Sequence, residues 1–513
     1  MKAQDYVISS EKFVFRSDAE KIHDTKLETK PVSYFRDALN RFARNKASIV
    51  ATVIIGLLVL FAIIGPILSP YTVAYEDKVY AFARPKNELF YNLGIPFWDG
   101  GAEKTVNEHT YRLYRAIEQE LGTEIIMSEP VESIKDYMGK QTKMYSFRVN
   151  TYTVVGAKFV LLSTAEYQAL QAYQDETGIQ VILPITNLND RPAAEQDATD
   201  ANYWFKTKKG KGNKTEIPAG DLVPAYKAYD GNDLYTSKVR FEGEGNYLYN
   251  YAEPKDNRTN WNVRVDYEKY YEYIHHLADD GITKPSFFFG ANDAGKDIFT
   301  CLASGARFSF ILAVIVSSVN LFVGAIYGAI EGYYGGKIDI LMERFVEIIG
   351  SIPFMIVITL LRYHFNVSHV IILFISFFLT GWTGMAGRTR MQFYRFKNQE
   401  YVLVARTLGA NDRRIMFKHI FPNAVGTLIT SSVLVIPGVI FSETSLSYLG
   451  IINLTSGNLT SVGTLLASGQ TFLFTYPHMI LFPSIFISLL MLSFNLFGNG
   501  LRDAFNPSLR GTE

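Results

Sequence analysis

The sequence predicts an all-α polytopic membrane protein with six transmembrane helices and an α+β domain inserted between the first two. Three observations predict this class: six nearly uncharged apolar runs, an uneven distribution of Lys and Arg between them, and a long polar, Tyr-rich block after the first run. The composition of the whole chain does not show this division, because its 50 basic and 50 acidic residues give a net charge of zero.

The apolar runs are read as membrane spans because about 20 apolar residues in a helix cross the hydrocarbon core of a bilayer. The first run begins only after a charged leader, so it does not have the form of a cleavable signal peptide. The third and fourth runs are short. The runs cover residues 47–68, 308–330, 346–361, 370–385, 424–441 and 479–497.

Basic residues predict the orientation of the spans, since Lys and Arg are enriched in cytoplasmic segments. Arg36, Arg41, Arg44 and Lys46 precede the first span, and residues 442–478 contain no Lys or Arg. The segment after the fourth span is the most basic of all. It carries Arg388, Arg390, Arg395, Lys397, Arg406, Arg413, Arg414 and Lys418. This pattern predicts a multi-pass membrane protein with both termini in the cytoplasm.

The same topology divides the chain into four parts: a cytoplasmic leader (1–46), the first span (47–68), an extracytoplasmic domain (69–286) and a membrane core (287–513) with a cytoplasmic loop (387–423). Within the extracytoplasmic domain, residues 144–163 alternate like a β-hairpin around Gly156. Residues 165–176 are helix-prone after Thr164, an N-cap candidate, and residues 187–220 have the composition of a loop.

No catalytic or metal-binding constellation is found in the sequence. Cys301 is the single cysteine, so neither an intramolecular disulfide nor a multi-cysteine metal site can form. His275 and His276 are adjacent and therefore point in different directions on a helix or a strand. We accordingly expect no enzyme active site, no metal and no nucleic-acid partner.

The cytoplasmic segment 401–423 is the strongest candidate for a functional site. Val402, Ala405 and Leu408 recur at helical spacing and are expected to share one face. Gly409 suits a turn with left-handed backbone, and Asp412 can cap a second, basic helix that Pro422 is expected to end.

This helix–turn–helix segment resembles the Glu-Ala-Ala loop of ABC importer permeases, through which the membrane subunit docks on its ATPase. Residues 403–405 stand for Glu-Ala-Ala without the glutamate, Gly409 matches the family's glycine, and residues 419–422 match its last element, as in the peptide-importer branch. The resemblance implies an ATPase-coupling role for Tyr401, Val402, Ala405, Arg406, Leu408, Gly409, Ala410, Ile415, His419 and Pro422. The alternative is an amphipathic helix that lies on anionic lipid through its Arg and Lys side chains.

The segment before the second span fits the spacing of a phosphate-binding loop, but Asp297 stands where that loop needs Ser or Thr, so nucleotide binding is not expected. The segment instead resembles one that peptide permeases carry at this place, with Asn292 or Asp293 in the position of the family's aspartate. Its other matching residues are Gly290, Gly295, Asp297, Gly305 and Arg307. A capped amphipathic helix on the outer membrane surface is the alternative.

Further motifs support the same resemblance. Gly324 and Gly328 form a pair spaced for close packing of membrane helices. The following turn and Asp339 match the peptide-permease pattern, with Glu347 in place of an aspartate and in reach of Arg344. Residues 443–450 and the C-terminal residues 495–507 resemble two further family motifs.

The resemblance implies a type I permease fold and the C-type membrane subunit of an oligopeptide importer in a bacterial cell membrane. The implied partners are a homologous B-type permease, two ATPases that bind the ATP and magnesium, an extracytoplasmic peptide-binding protein and the lipid bilayer. The chain itself would bind no cofactor. Import of dipeptides, nickel or another small solute stays open, as do a secondary transporter or channel and a membrane-tethered enzyme.

Typical family members have only a short outer loop between the first two spans, whereas this chain has a large domain there. Its Tyr-rich runs at residues 247–251 and 267–273 suggest a surface that docks the binding protein or caps the pathway, since Tyr is favoured at interfaces. The alternative is an ordinary core that contains tyrosines.

Overall fold

The structure is a computed structural model that describes residues 34–93, 95–137, 140–183, 185–186, 236–240, 246–250, 252–255, 259–454 and 459–505. The loop predicted at residues 187–220, Tyr251, and the C-terminal motif from Asn506 onward lie outside these residues. The side chains of Tyr247 and Tyr249 are also outside the description.

The described helices fall into three groups along the chain. The first six are α1 (Tyr34–Arg44), α2 (Lys46–Leu68), α3 (Glu88–Asn92), α4 (Glu108–Leu121), α5 (Thr164–Thr177) and α6 (Tyr267–Ala278). The next five are α7 (Ile298–Tyr334), α8 (Gly336–Gly350), α9 (Phe354–His364), α10 (His369–Phe396) and α11 (Glu400–Thr407). The last five are α12 (Asp412–Arg414), α13 (Phe421–Val433), α14 (Val435–Tyr448), α15 (Val462–Gln470) and α16 (His478–Ala504).

Among the described residues, five helical runs are long and apolar enough to cross a membrane: α2, α7, α10, the run Asp412–Tyr448 and α16. The pair α8 and α9 would make a sixth span, although its two helices meet at an angle of 68°. The span predicted over residues 346–361 corresponds to the end of α8 and most of α9 within this bent pair. Pro353 explains the bend, because it lacks an amide hydrogen and disfavours helical backbone at Ile352 before it.

The membrane helices pack around α7, which lies most extensively against α10 and also contacts α2 and α14. The sequence predicted that this span begins at Phe308, but the helix begins ten residues earlier, at Ile298. Its first two turns are buried, so the alternative of a surface amphipathic helix is wrong. A buried polar pair joins two spans: the Ser309 hydroxyl donates to the Glu443 carboxyl at 2.7 Å.

The region between α2 and α7 contains three antiparallel sheets among its described residues, as predicted for an α+β insertion. Their strands are β1 (Gly101–Asn107), β2 (Val131–Tyr137), β3 (Lys140–Asn150), β4 (Ala157–Ser163), β5 (Ile185–Thr186), β6 (Thr236–Arg240), β7 (Asn246–Asn250), β8 (Ala252–Lys255) and β9 (Asn260–Asp266). The sheet orders are β1-β3-β2, β4-β9-β8 and β5-β7-β6.

The hairpin predicted over residues 144–163 does not form. Gly156 does turn the chain, with φ +60°, but the strands on its two sides enter different sheets. β3 pairs with β1 and β2, whereas β4 pairs with β9, with Ala157 opposite Asp266. The distant strand β9 therefore takes the place of the local partner.

Helix α5 forms where it is predicted, but its cap is one residue earlier. The Ser163 hydroxyl accepts from the Glu166 amide, and the Glu166 carboxylate accepts from the Ser163 amide, which is a complete capping box. Thr164 is instead the first helical residue, and its hydroxyl accepts a hydrogen bond from the Trp261 indole.

The tyrosines at residues 267–273 belong to the core of the inserted region. Tyr267, Tyr271 and Tyr273 are at most 7% exposed, and Tyr270 packs against the same cluster, so these side chains do not form a docking surface. The predicted alternative, a core that contains tyrosines, is correct for this run. The neighbouring His275 is buried too and lies 2.6 Å from the Asp280 carboxylate.

Candidate docking site

The loop between α10 and α13 is a short helix, a tight turn and a second helical segment. Helix α11 ends at Thr407, and Gly409 has φ +81°, a conformation that glycine adopts without strain. Asn411, and not Asp412, caps the second segment, because its side chain accepts from the Arg414 amide at 2.9 Å.

Asp412 has a different partner, which ties the loop to a membrane helix. Its carboxylate accepts a hydrogen bond of 2.6 Å from the hydroxyl of Tyr333, at the C-terminal end of α7. Arg406 approaches the same hydroxyl at 3.4 Å and lies over the Tyr333 ring. Since Tyr333 is 7% exposed, both arms of the loop are fastened to one buried side chain.

The second helix does not end at Pro422, contrary to the sequence prediction. Residues 415–420 form a π-helical turn, and the Phe421 amide donates to the Met416 carbonyl five residues earlier. This wider turn accommodates the proline ring, which in a regular α-helix would clash with the carbonyl four residues back. Helical structure then continues to Tyr448.

The inner face of the loop packs on the ends of α7 and α10. Val402 and Ile415 are fully buried in a cluster with Ala329, Tyr333 and Phe393. Leu408, which was expected on the same face, is instead 81% exposed. It follows the last helical residue, so the helical spacing that placed it there no longer applies.

The outer face of the loop is apolar and basic. Its exposed large apolar residues are Tyr401, Leu403, Val404, Leu408 and Phe417. One of them, Phe417, also lines an open groove of about 460 Å³, together with Asn411, Arg413, Arg414, Lys418 and Pro422. Apolar side chains clustered on an exposed surface are typical of a site that binds a partner.

The structure distributes the predicted coupling residues over both faces. Val402, Ala405 and Ile415 point into the protein; Ala410 and His419 are half-buried; and Tyr401, Arg406, Leu408, Gly409 and Pro422 are exposed. The two arms also touch each other, because the Asn423 amide group donates to the Tyr401 hydroxyl and to the His419 carbonyl.

The predicted motif before α7 is a compact structural turn. Gly290 and Gly295 have positive φ, and a Cβ on Gly295 would lie 1.8 Å from the Asp77 carbonyl oxygen. The turn is organised by Asn292, not Asp293, because the Asn292 side chain accepts from two amides within it.

The same motif begins helix α7. The buried Asp297 caps it by accepting from the amides of Phe299 and Thr300, while Gly305 packs against Ser461 and Arg307 is exposed. The Lys296 ammonium donates to a carbonyl of this chain, Val73, as would not be expected in a phosphate-binding loop.

Gly324 and Gly328 lie where α7 meets α10. A Cβ on Gly324 would lie 2.7 Å from the Trp382 carbonyl oxygen, and one on Gly328 would lie 2.1 Å from that of Ala386. Gly332 continues this glycine stripe and lies against Arg390. It was not predicted, although its spacing of four residues from Gly328 is the same as that between Gly324 and Gly328.

Sequence reasoning also missed a charged cluster beside the loop. Arg390 binds Asp339 at 2.6 Å and lies within 3.5 Å of Glu331 and Glu343. The matching Asp339 was recognised as part of a family pattern, but its partner was counted only as one of the basic residues that set the orientation. By contrast, Arg344 and Glu347 pair with each other, as their spacing predicts.

The models of two protein families match parts of the chain. "Binding-protein-dependent transport system inner membrane component" matches residues 320–511, and "N-terminal TM domain of oligopeptide transport permease C" matches residues 33–85. Together they leave out most of the region between α2 and α7.

Curated relatives carry corresponding names. The oligopeptide transport system permease protein OppC of Bacillus subtilis is 40% identical over 223 residues, which are 44% of this chain and 72% of the relative. The dipeptide transport system permease protein DppC of the same species is 38% identical over 44% of this chain and 69% of its own length. The OppC protein of Escherichia coli K12 is 34% identical over 44% and 73%.

Among solved structures, the inward-facing MetNI methionine ABC transporter is similar over 40% of this chain and 96% of its own, with 13% identity and a TM-score of 0.33. The relatives are transport permeases, so the alternative of a secondary transporter or channel is set aside. The chain belongs to the binding-protein-dependent ABC transport permeases, as a bacterial multi-pass C-type subunit of the oligopeptide and dipeptide branch with an unusually large insertion between its first two spans.

Proposed function

We propose that this chain forms half of the translocation pathway of an ATP-driven oligopeptide importer. It is coupled to its ATPases through the loop that runs from the start of α11 to Pro422, called the 400–422 loop below. A homologous B-type permease supplies the other half of the pathway, and two ATPase subunits lie at the loop on the cytoplasmic side. A binding protein delivers the peptide on the opposite side. The names of the relatives, which are oligopeptide and dipeptide permeases, support this choice of substrate.

The two faces of the loop carry the proposal. Its inner face is held by Tyr333 and by the buried cluster around Val402, so it moves with the membrane helices. Its outer face presents Leu408, which is 81% exposed, and a groove lined by basic residues. A segment that is rigidly attached on one side and apolar on the other is suited to transmit movement from a partner protein.

Binding of the loop to anionic lipid is the competing hypothesis. It requires Arg413, Arg414 and Lys418 to contact lipid headgroups. These three side chains line the open groove, which is compatible with lipid binding as well as with a protein partner. The exposed Leu408 and Val404 suit a protein or a membrane. A protein is favoured because the apolar face that an amphipathic helix would lay on lipid, with Val402 and Ile415, is already buried in this chain.

The test replaces Leu408 by Asp in the complete transporter and measures two quantities: ATPase subunits that co-purify with the membrane subunits, and ATP-dependent uptake of labelled oligopeptides into proteoliposomes. Leu277→Asp is the matched control, since this leucine is 64% exposed but lies in the inserted region. We expect the Leu408→Asp transporter to lose ATPase co-purification and peptide uptake, and the Leu277→Asp transporter to keep both activities.

Two results would contradict the coupling role. Leu408→Asp could retain its ATPases and uptake, or the paired Arg413→Gln and Arg414→Gln variant could lose binding to anionic vesicles while ATPase association stays unchanged. Uptake by the unmodified transporter of labelled dipeptides, longer peptides and Ni²⁺ separately decides between the solutes that the family carries.

A further inference from the structure

A short segment of the inserted region, residues 88–93 and 95–98, exposes large apolar side chains in close succession. It consists of α3, capped by the Asn87 side chain, and a 3₁₀ turn at Pro96–Trp98. The exposed fractions reach 64% at Leu89 and 68% at Leu93. The exposed apolar residues of this segment are Leu89, Tyr91, Leu93, Ile95 and Phe97.

The inner side of this segment is fixed by aromatic contacts. Phe90 stacks on Trp98 with ring centroids 5.0 Å apart, and both rings contact Phe288. The Trp98 indole donates to the Phe288 carbonyl at 2.8 Å. The segment is therefore held in place by the residues just before α7, and its exposed side chains are not the result of a loose loop.

The segment also touches a membrane helix directly. Phe97 lies 5.9 Å from Phe482, near the start of α16, and Phe482 stacks on Phe289 at 4.0 Å. These contacts place the segment at the ends of the spans opposite the 400–422 loop, because α7 begins beside Phe289 and reaches the loop with Tyr333.

The contact with Phe482 brings the segment to a helix, α16, that has an exposed apolar stripe of its own. From Leu481, next to Phe482, an exposed stripe runs along the helix at a spacing of three to four residues. It consists of Leu481, Ile485, Leu489, Leu492 and Leu496. In a membrane-spanning helix such a stripe faces the hydrocarbon, and aromatic side chains such as Tyr91 and Trp98 are enriched where the hydrocarbon meets the headgroups.

We propose that residues 88–93 and 95–98 form an interfacial anchor that inserts into the bilayer leaflet at this end of the spans. The anchor holds the inserted region against the membrane surface, beside the outer ends of α7 and α16. Its ligand is the phospholipid bilayer itself. The proposal does not depend on which solute is transported or on how the ATPases bind.

The test places a fluorescent NBD label at Leu93→Cys in the full chain, purified with its partner subunits and reconstituted in nanodiscs. Val131→Cys is the matched control, because Val131 is an apolar residue of the same inserted region that is 65% exposed, on strand β2. Cys301 is 2% exposed and adds little labelling, which the unmodified chain measures as background. Quenchers are phosphatidylcholine with a nitroxide at a shallow or a deep acyl position, and iodide in the water.

We expect the label at position 93 to be quenched several-fold more by shallow nitroxide lipid than the label at 131, with iodide giving the reverse order. Equal iodide quenching at both positions, without lipid quenching at 93, would show that the segment lies in water and would overturn the proposal. Protection of position 93 from both kinds of quencher would show that a protein subunit covers it, which overturns the proposal equally.

Discussion

The close packing of α7 on α10 predicts that Gly328→Ala lowers the stability of the protein. The added Cβ would lie 2.1 Å from the Ala386 carbonyl oxygen and 2.9 Å from its carbonyl carbon, whereas ordinary contacts begin at 3.4 Å. The Cβ would therefore lie 1.3 Å closer to this oxygen (3.4 minus 2.1 Å) than the shortest ordinary contact. The atoms that the added Cβ would meet belong to the backbone of α10. Because no flexible side chain can move aside, the two helices must separate.

Separation of two packed helices by this distance weakens many dispersion contacts at once. Overpacking a tight interior typically costs about 1–3 kcal/mol. Alanine also raises helix propensity by about 1 kcal/mol relative to glycine, which would obscure the cost in a single variant. Gly384→Ala in α10 is the matched control, because a Cβ there meets no atom within 4 Å and receives the same gain in propensity.

The assay is reversible unfolding of each variant in mixed micelles with an increasing fraction of SDS. We expect the folded-to-unfolded ratio of Gly328→Ala to lie about 5- to 150-fold below that of Gly384→Ala, which corresponds to about 1–3 kcal/mol. Equal stability of the two variants would refute the close approach of α7 and α10.

Three further predictions concern the loop and the inserted region. Gly409→Val forces a β-branched residue to φ +81° and is expected to cost about 1–2 kcal/mol and to reduce ATPase co-purification, whereas Gly350→Val, at an open position without positive φ, is expected to leave co-purification unchanged. Tyr333→Phe removes the hydrogen bond to Asp412 and should lower stability by roughly 1 kcal/mol, measured in the same micelles. Burial raises the pKa of Asp77, so folding disfavours its charged form, and stability declines as the pH rises through the folded pKa. Asp77→Asn is expected to flatten that decline in a series of thermal unfolding curves upward from about pH 4; an unchanged slope would contradict it.

Features that depend on nearby residues could be predicted from the sequence. The membrane spans were found because the bilayer requires long apolar helices, and that requirement is visible in any single run. The turn at Gly409 was found because a left-handed residue favours glycine. For the same reason the segment of residues 401–423 could be assigned to a helix–turn–helix before its contacts were known.

Features that depend on distant residues could not be predicted. Strand β4 pairs with β9 about a hundred residues later, and nothing in residues 144–163 distinguishes that partner from a local hairpin. The proline at position 422 was expected to end a helix, and only the π-turn before it shows how the helix continues. The sequence left open whether Tyr271 belongs to a docking surface or to a core, and long-range packing decides for the core.

The loop and the glycine stripe are expected to act as one mechanical unit. Tyr333 holds the loop, and Gly328 lies five residues earlier on the same helix, about 7.5 Å along its axis. Direct contact between the backbones of α7 and α10 should transmit a displacement of the loop to both helices. The double variant Tyr333→Phe, Gly328→Ala tests this through ATPase activity stimulated by peptide-loaded binding protein. If the sites act together, the combined loss should differ from the sum of the single losses by about 0.5–3 kcal/mol; agreement within about 0.5 kcal/mol would show that they act independently.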